Sequence, residues 1–134
     1  MKMTLMGAGS TVFARNVIGD CMCSEYLKDS TFALYDIDAE RLKESYIILE
    51  SMRKTKGCNA VIECYCGVEQ RKDALRNADF VVNAIQVGFY DPCTIIDFEI
   101  PKKYGLRQTI ADTLGIGGIM RALRTIPVLE VRTL

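Results

Sequence analysis

A chain of 134 residues, 49% of them hydrophobic, holds enough apolar material for one compact domain and too little for two. Its 17 lysines and arginines are matched by 17 aspartates and glutamates, so no net field draws it to nucleic acid or to an anionic membrane, and a small molecule is the better expectation for a partner. With no histidine, it supplies neither an imidazole base nor a His metal ligand.

Residues Met1 to Met6 alternate in polarity and then meet Gly7, which predicts a first strand ending in a tight turn. From Thr11 onward, Val12, Val17, Ile18, Cys21 and Met22 recur at helical spacing. "STFALYDID", residues 30–38, reads as a second strand with an acidic end. "AERLKESYIILESMRKTKG" spaces Leu42, Ile48, Leu49 and Met52 among charged residues and closes on Gly57, the pattern of an amphipathic helix with a glycine stop. "AVIECYC" predicts a third strand and "EQRKDALRNA" a short polar helix. "DFVVNAIQVG" predicts a fourth strand, whose continuous apolar run suits burial inside a parallel sheet. After Asp91-Pro92 the chain turns helical through "TIIDFEIPKKYG", with an interruption at Pro101, and "LRQTIADTLGIGG" leads into the apolar-periodic "IMRALRTIPVLEVRTL". This alternation predicts a single Rossmann-like α/β domain over residues 1–134, a parallel sheet with flanking helices joined by right-handed crossovers.

No apolar run approaches the about 18 residues of a membrane helix, and Met3 to Ala8 is too short for a secretory core, so a cytoplasmic protein is expected. The six cysteines sit inside an ordinary α/β pattern and read as free thiols rather than a disulfide frame. Cys21/Cys23 and Cys64/Cys66 are spaced more closely than usual zinc ligands, and a Cys-x-Cys in a strand points both thiols to one face, where Cys64 and Cys66 could be plain core residues. No metal site is expected from this chain.

Chemistry concentrates at the ends of the strands. Gly7 lets the chain bend sharply, Gly9 clears a side chain where backbone must approach a pyrophosphate, and Ser10 and Thr11 add hydroxyls beside the N–H groups that open the next helix. By itself the turn also fits a plain strand-to-helix connection, and Val12 stands where a third small residue is usual. Asp36, at the end of the second strand, can accept both ribose hydroxyls of an adenosine and would repel a 2′-phosphate, favouring NAD over NADP. The helix N-cap is the competing role for Asp36 or Asp38, and it fits Asp38 better. Asn83 and Gln86 lie at the carboxyl end of the fourth strand, where open α/β sheets bind ligands, although Asn83 could instead satisfy buried backbone. Gly115, Gly117 and Gly118 precede the last helix, as a second anion-facing N-terminus or as a close backbone crossing. Asp112 beside them is a candidate for holding sugar hydroxyls, whereas Arg121 and Arg124 read as solvated or ion-paired.

Together "GAGSTVFARNVIGD", "YDID" and "ADFVVNAIQVGFYDPCTIIDFEIPKKYGLRQTIADTLGIGGIMRALRTIPVL" resemble the NAD- and manganese-dependent glycosidases of glycoside hydrolase family four, most closely their α-galactosidase branch. The resemblance implies glycoside hydrolysis outside the two-carboxylate scheme: transient oxidation at sugar C3 by NAD, loss of the C2 proton, elimination of the aglycone, addition of water at C1 and return of the hydride. A divalent metal held by a cysteine and a histidine acts there as a Lewis acid, and the family's tyrosine base and both metal ligands come from later in its chain. It further implies cofactor contacts at Gly7, Gly9, Ser10, Thr11, Asp36, Ala84, Ile85 and Gln86, and sugar contacts at Asn83 and Asp112. Phospho-glucosidase members tend to carry arginine where Gln86 stands, so the amide favours an unphosphorylated sugar, and Ile116 replaces a frequent proline. Family members run to several hundred residues. The chain is therefore expected to be the N-terminal dinucleotide-binding part of such an enzyme, truncated before the catalytic domain, inactive alone and self-associating into a homo-oligomer. The alternatives are a stand-alone nucleotide-binding module and the N-terminal half of a malate- or lactate-type dehydrogenase.

Overall fold

A computed structural model describes residues 1–109 and 114–130. The chain divides into two compact units, Met1–Ala84 and Ile85–Leu134.

The first unit is a four-stranded, wholly parallel sheet in the order β3-β2-β1-β4. Its strands are β1 (Lys2–Met6), β2 (Thr31–Asp36), β3 (Val61–Cys66) and β4 (Phe80–Asn83). Strands β1 and β2 are central and buried along nearly their whole length, because both faces carry apolar side chains and both edges are paired. Having built outward from β1 to β3, the chain returns to the other side of β1 for β4, which places a topological switch at the carboxyl ends of β1 and β4.

The expectation of a buried fourth strand fails. β4 is an edge with Phe80 54% and Val81 51% exposed, so its apolar run reflects a strand lined on one side only, and sequence alone does not give strand order.

Helix α1 (Thr11–Cys21) buries Ala14, Ile18 and Gly19. Val12 points outward at 65% exposure, and the small residue that α1 buries in the core is Ala14, two positions along. A side chain at Gly19 would meet the Met52 methyl group at 2.5 Å, which makes this glycine a point of close approach to helix α2 (Ala39–Lys56). Asp38 caps α2 by accepting from the backbone N–H groups of Glu40 and Arg41 at 3.0 and 3.1 Å, and Gly57 ends it in the left-handed conformation at φ 64°. Leu5, Ile18, Phe32, Leu34 and Leu49 are fully buried at the centre of the core. The expected polar helix is a single tight turn, Val68–Gln70, followed by α3 (Arg71–Leu75). All six cysteines are free thiols; of the β3 pair only Cys66 packs against the core, and Cys64 is exposed at this edge strand.

The second unit has a kinked helical segment, Phe89–Thr94, leading into α4 (Ile95–Lys103), and a separate α5 (Ile116–Leu129). Pro101 does not interrupt α4: it lies buried inside it. Proline offers no N–H to the carbonyl four residues back, that of Asp97, and this oxygen packs 2.4 Å from where a side chain on Gly117 would begin. The missing helical bond is thus tolerated where α5 crosses α4 closely. Asp97 itself, 2% exposed, accepts from both terminal guanidinium nitrogens of Arg124, at 2.9 and 2.5 Å.

Candidate functional site

The loop after β1 is built entirely from first-unit residues. Gly7 has φ 88°, a left-handed conformation that glycine takes at little cost, and it turns the chain so that the N–H groups of Gly7 and Ala8 both donate to the Tyr35 carbonyl at 2.9 Å. The buried Ser45 hydroxyl on α2 donates to the Ala8 carbonyl at 2.6 Å. Two neighbouring elements therefore fix the loop before any ligand arrives.

Asp36 closes the same loop. One carboxylate oxygen accepts the Gly9 N–H at 2.6 Å and the other accepts the Asp38 N–H at 3.0 Å, which leaves lone pairs on both for further donors. A side chain on Gly9 would start 2.7 Å from that carboxylate and 3.1 Å from the Arg41 side chain. The sequence argument gave Gly9 to the pyrophosphate; in the structure its first duty is to admit Asp36. Asp36 and Asp38 divide their roles cleanly, Asp38 as the cap of α2 and Asp36 as the carboxylate at the loop.

Helix α1 begins at this loop with its end open. Ser10 makes no side-chain cap and the first turn carries no acidic residue. The first intrahelical bond runs from Ala14 N–H to the Ser10 carbonyl at 2.8 Å, so the N–H groups of Thr11, Val12 and Phe13 form the helix's positive end. Thr11 reaches back to the Gly9 carbonyl at 3.5 Å, while Ser10 is exposed. Beside this loop, Ala84 N–H donates to the Met6 carbonyl at 2.8 Å and Asn83 pairs with Met6 in register. Asn83 is exposed. An anion at the open end of α1 and a pair of hydroxyl donors at Asp36 are what this arrangement can hold.

Ile85 and Gln86 belong to the second unit. The Gln86 amide donates to the Thr94 hydroxyl oxygen at 2.9 Å, and Arg121 donates to the same oxygen at 3.1 Å. Arg124 is ion-paired with Asp97, whose hydrogen bond pushes the guanidinium pKa up. The glycine cluster resolves as a close crossing at Gly117: its N–H is taken by the Gln108 side chain at 2.8 Å, so that amide is not open to an anion. Asp112 lies outside the described residues. Among the described residues no three His, Cys, Asp or Glu side chains gather to hold a metal ion, and no helix is long and apolar enough to cross a membrane.

Sequence reasoning missed Ser45 and Thr94. Ser45 stands on the apolar face of α2 between Leu42 and Leu49, all three buried, and a hydroxyl on that stripe signals a buried partner.

Residues 2–131 match the family model described as family 4 glycosyl hydrolase. Over 128 residues the chain is 61% identical to an alpha-galactosidase of Bacillus subtilis (strain 168), covering 96% of this chain and 29% of that protein. It is 34% identical to an alpha-galacturonidase of Thermoanaerobacter italicus (strain DSM 9252 / Ab9), covering 95% of this chain and 26% of that one. Among solved structures, a 6-phospho-alpha-glucosidase from gut microorganisms in complex with NAD and glucose-6-phosphate is similar with a TM-score of 0.75 at 26% identity, over 96% of this chain and 28% of that one. A 6-phospho-beta glucosidase from Thermotoga maritima with manganese, NAD+ and glucose-6-phosphate gives a TM-score of 0.71 at 26% identity, over 97% and 30%. The chain thus spans under a third of the length of these relatives.

Proposed function

The chain belongs to family 4 of the glycosyl hydrolases, and from that premise we propose that it is the NAD-holding portion of an α-galactosidase. The observation that carries the cofactor half of this reading is the Gly9–Asp36 contact of 2.6 Å at the open end of α1, which seats an anion site and a ribose acid side by side. The sugar half rests on the 61% identity to a bacterial alpha-galactosidase.

The loop's chemistry is division of labour among groups already held in place. Backbone N–H groups of Thr11, Val12 and Phe13, with the Ser10 hydroxyl, take the pyrophosphate without reorganising, because Tyr35 and Ser45 fix the loop from behind. Asp36 accepts the adenosine ribose hydroxyls on its remaining lone pairs, and its charge opposes a 2′-phosphate. When bound, NAD supplies a reversible hydride acceptor for the sugar. The described residues offer no cluster suited to a divalent metal, so no step of this reading runs through one, and manganese belongs to the longer enzyme. We assign hydrolysis to a protein with the length of the relatives and no complete reaction to this portion alone. A neutral α-galactoside is the substrate of the reading and the cytosol its compartment.

Calorimetric titration of the 134-residue chain tests it. NAD should bind more tightly than NADP, and Asp36→Asn should weaken NAD by about tenfold, the scale of a lost charge-assisted hydrogen bond. Equal affinity for the two cofactors in the native chain would overturn the assignment to Asp36.

Self-association belongs to the same reading. Ile119, Leu123 and Ile126 of α5 are 52%, 70% and 51% exposed and share a helix face, a patch that favours burial against another surface. Sedimentation at high concentration should show a dimer or larger; a strict monomer would refute it.

A further inference from the structure

Away from the glycine loop, a nucleophile and a cation meet where α1 and α2 end. The Lys56 ammonium donates to the Cys23 sulfur at 2.6 Å, across 33 residues of sequence. Both side chains are exposed, so neither serves the core. Lys56 is pushed up in pKa by that hydrogen bond first, then by the charge of the sulfur, with Cys58 and Asp20 adding smaller effects. The chain's other thiols sit differently. Cys58 is buried and Cys21, Cys66 and Cys93 are half-buried; Cys21 is pushed up by burial and then by Asp20. Cys64 lies at an exposed edge, but the burial around its sulfur pushes that thiol up.

We propose that the Cys23–Lys56 pair is a modification site, at which Cys23 exchanges with small-molecule disulfides ahead of the other five cysteines. A cation against a cysteine sulfur stabilises the negative charge the sulfur carries when it attacks, and exposure gives the reagent a line of approach. In the exchange, Cys23 sulfur attacks one sulfur of a disulfide R–S–S–R. The bond between the reagent's sulfurs breaks, a Cys23–S–S–R bond forms, and the departing R–S⁻ takes up the proton that Cys23 gave to solvent. Cys23 is oxidised and the reagent is reduced by the same two electrons, so no further reactant is needed. Lys56, a donor throughout, keeps its proton and then loses its acceptor charge, which releases the tie between the ends of α1 and α2.

The test uses the native chain with limiting glutathione disulfide, and iodoacetamide in parallel, followed by peptide mass analysis over time. Cys23 should be modified first, about tenfold faster than Cys64, and Lys56→Gln should remove most of that advantage while Lys56→Arg, which keeps the charge, retains more of it. Lys56 is exposed in the last turn of α2, so these variants leave the fold in place, and the Cys23 to Cys64 rate ratio in the native chain is informative without any variant. First modification at another cysteine, or an unchanged Cys23 rate in Lys56→Gln, would overturn the proposal.

Discussion

The two units of this chain are held together by opposite means. In Met1–Ala84 the fully buried large apolar side chains are Phe32, Leu5, Ile18, Leu34 and Leu49, and the buried hydroxyls of Thr4 and Ser45 donate to the Ala74 and Ala8 carbonyls at 2.7 and 2.6 Å. In the second unit the buried residues, among those described, are Thr94, Asp97, Pro101 and Gly117, tied by Arg124, Arg121 and Gln108. Its large apolar side chains on α5 face outward instead. The lesson is that apolar composition does not make a core. The same helical periodicity closes a core in α2, whose Leu42 and Leu49 are buried, and leaves Ile119, Leu123 and Ile126 exposed on α5.

Substitutions can test that contrast, beginning with the largest. Phe32→Ala removes a ring with no exposure from the first half of β2 and should cost about 4 kcal/mol, read as lost hydrogen-exchange protection in β1 and β2. Asp97→Ala should cost about 3 kcal/mol, because Arg124 is left without the carboxylate that holds it, with protection falling in α4 and α5. If Phe32→Ala proved mild and Asp97→Ala negligible, the division into apolar and polar anchoring would be wrong. Ser45→Ala sharpens it on a finer scale. It breaks the 2.6 Å bond to the Ala8 carbonyl and should cost about 1 kcal/mol, with the added consequence that NAD affinity falls as the loop loosens. A loss of stability with NAD affinity intact would separate the loop's anchoring from its proposed use.

Much of the first unit was legible in its residues. Alternation and glycine stops located β1, β2, β3, α1 and α2 to within a few residues, since each boundary is set by local chemistry: Gly7 at positive φ, Asp38 as a cap, Gly57 in the left-handed region; β4 was found at its start but ends five residues before the run "DFVVNAIQVG" does. The pairing of a glycine turn with an acid at the end of β2 was also legible, and the structure joins them through Gly9 and Asp36. Two readings failed for non-local reasons, and a third that had been left open was decided by them. β4 looked buried but is an edge; Pro101 looked like a break but is absorbed where Gly117 lets α5 approach; and the Gly115–Gly118 cluster, left open as a possible anion site, has its Gly117 amide filled by Gln108. Each was decided by packing between separate segments, which no local pattern records.

What the sequence determined by itself, then, is the kind of element at most positions and the pairing of a glycine turn with an acid at the end of β2, because helix period, strand alternation, caps and glycine conformations are written within a few neighbouring residues. Tertiary structure alone decided the order of the strands, the face on which α5 lies open, the polar ties of the second unit, and the meeting of Cys23 with Lys56 across 33 residues. Those outcomes rest on packing between distant segments, whose free energies depend on distances that exist only once the chain has folded.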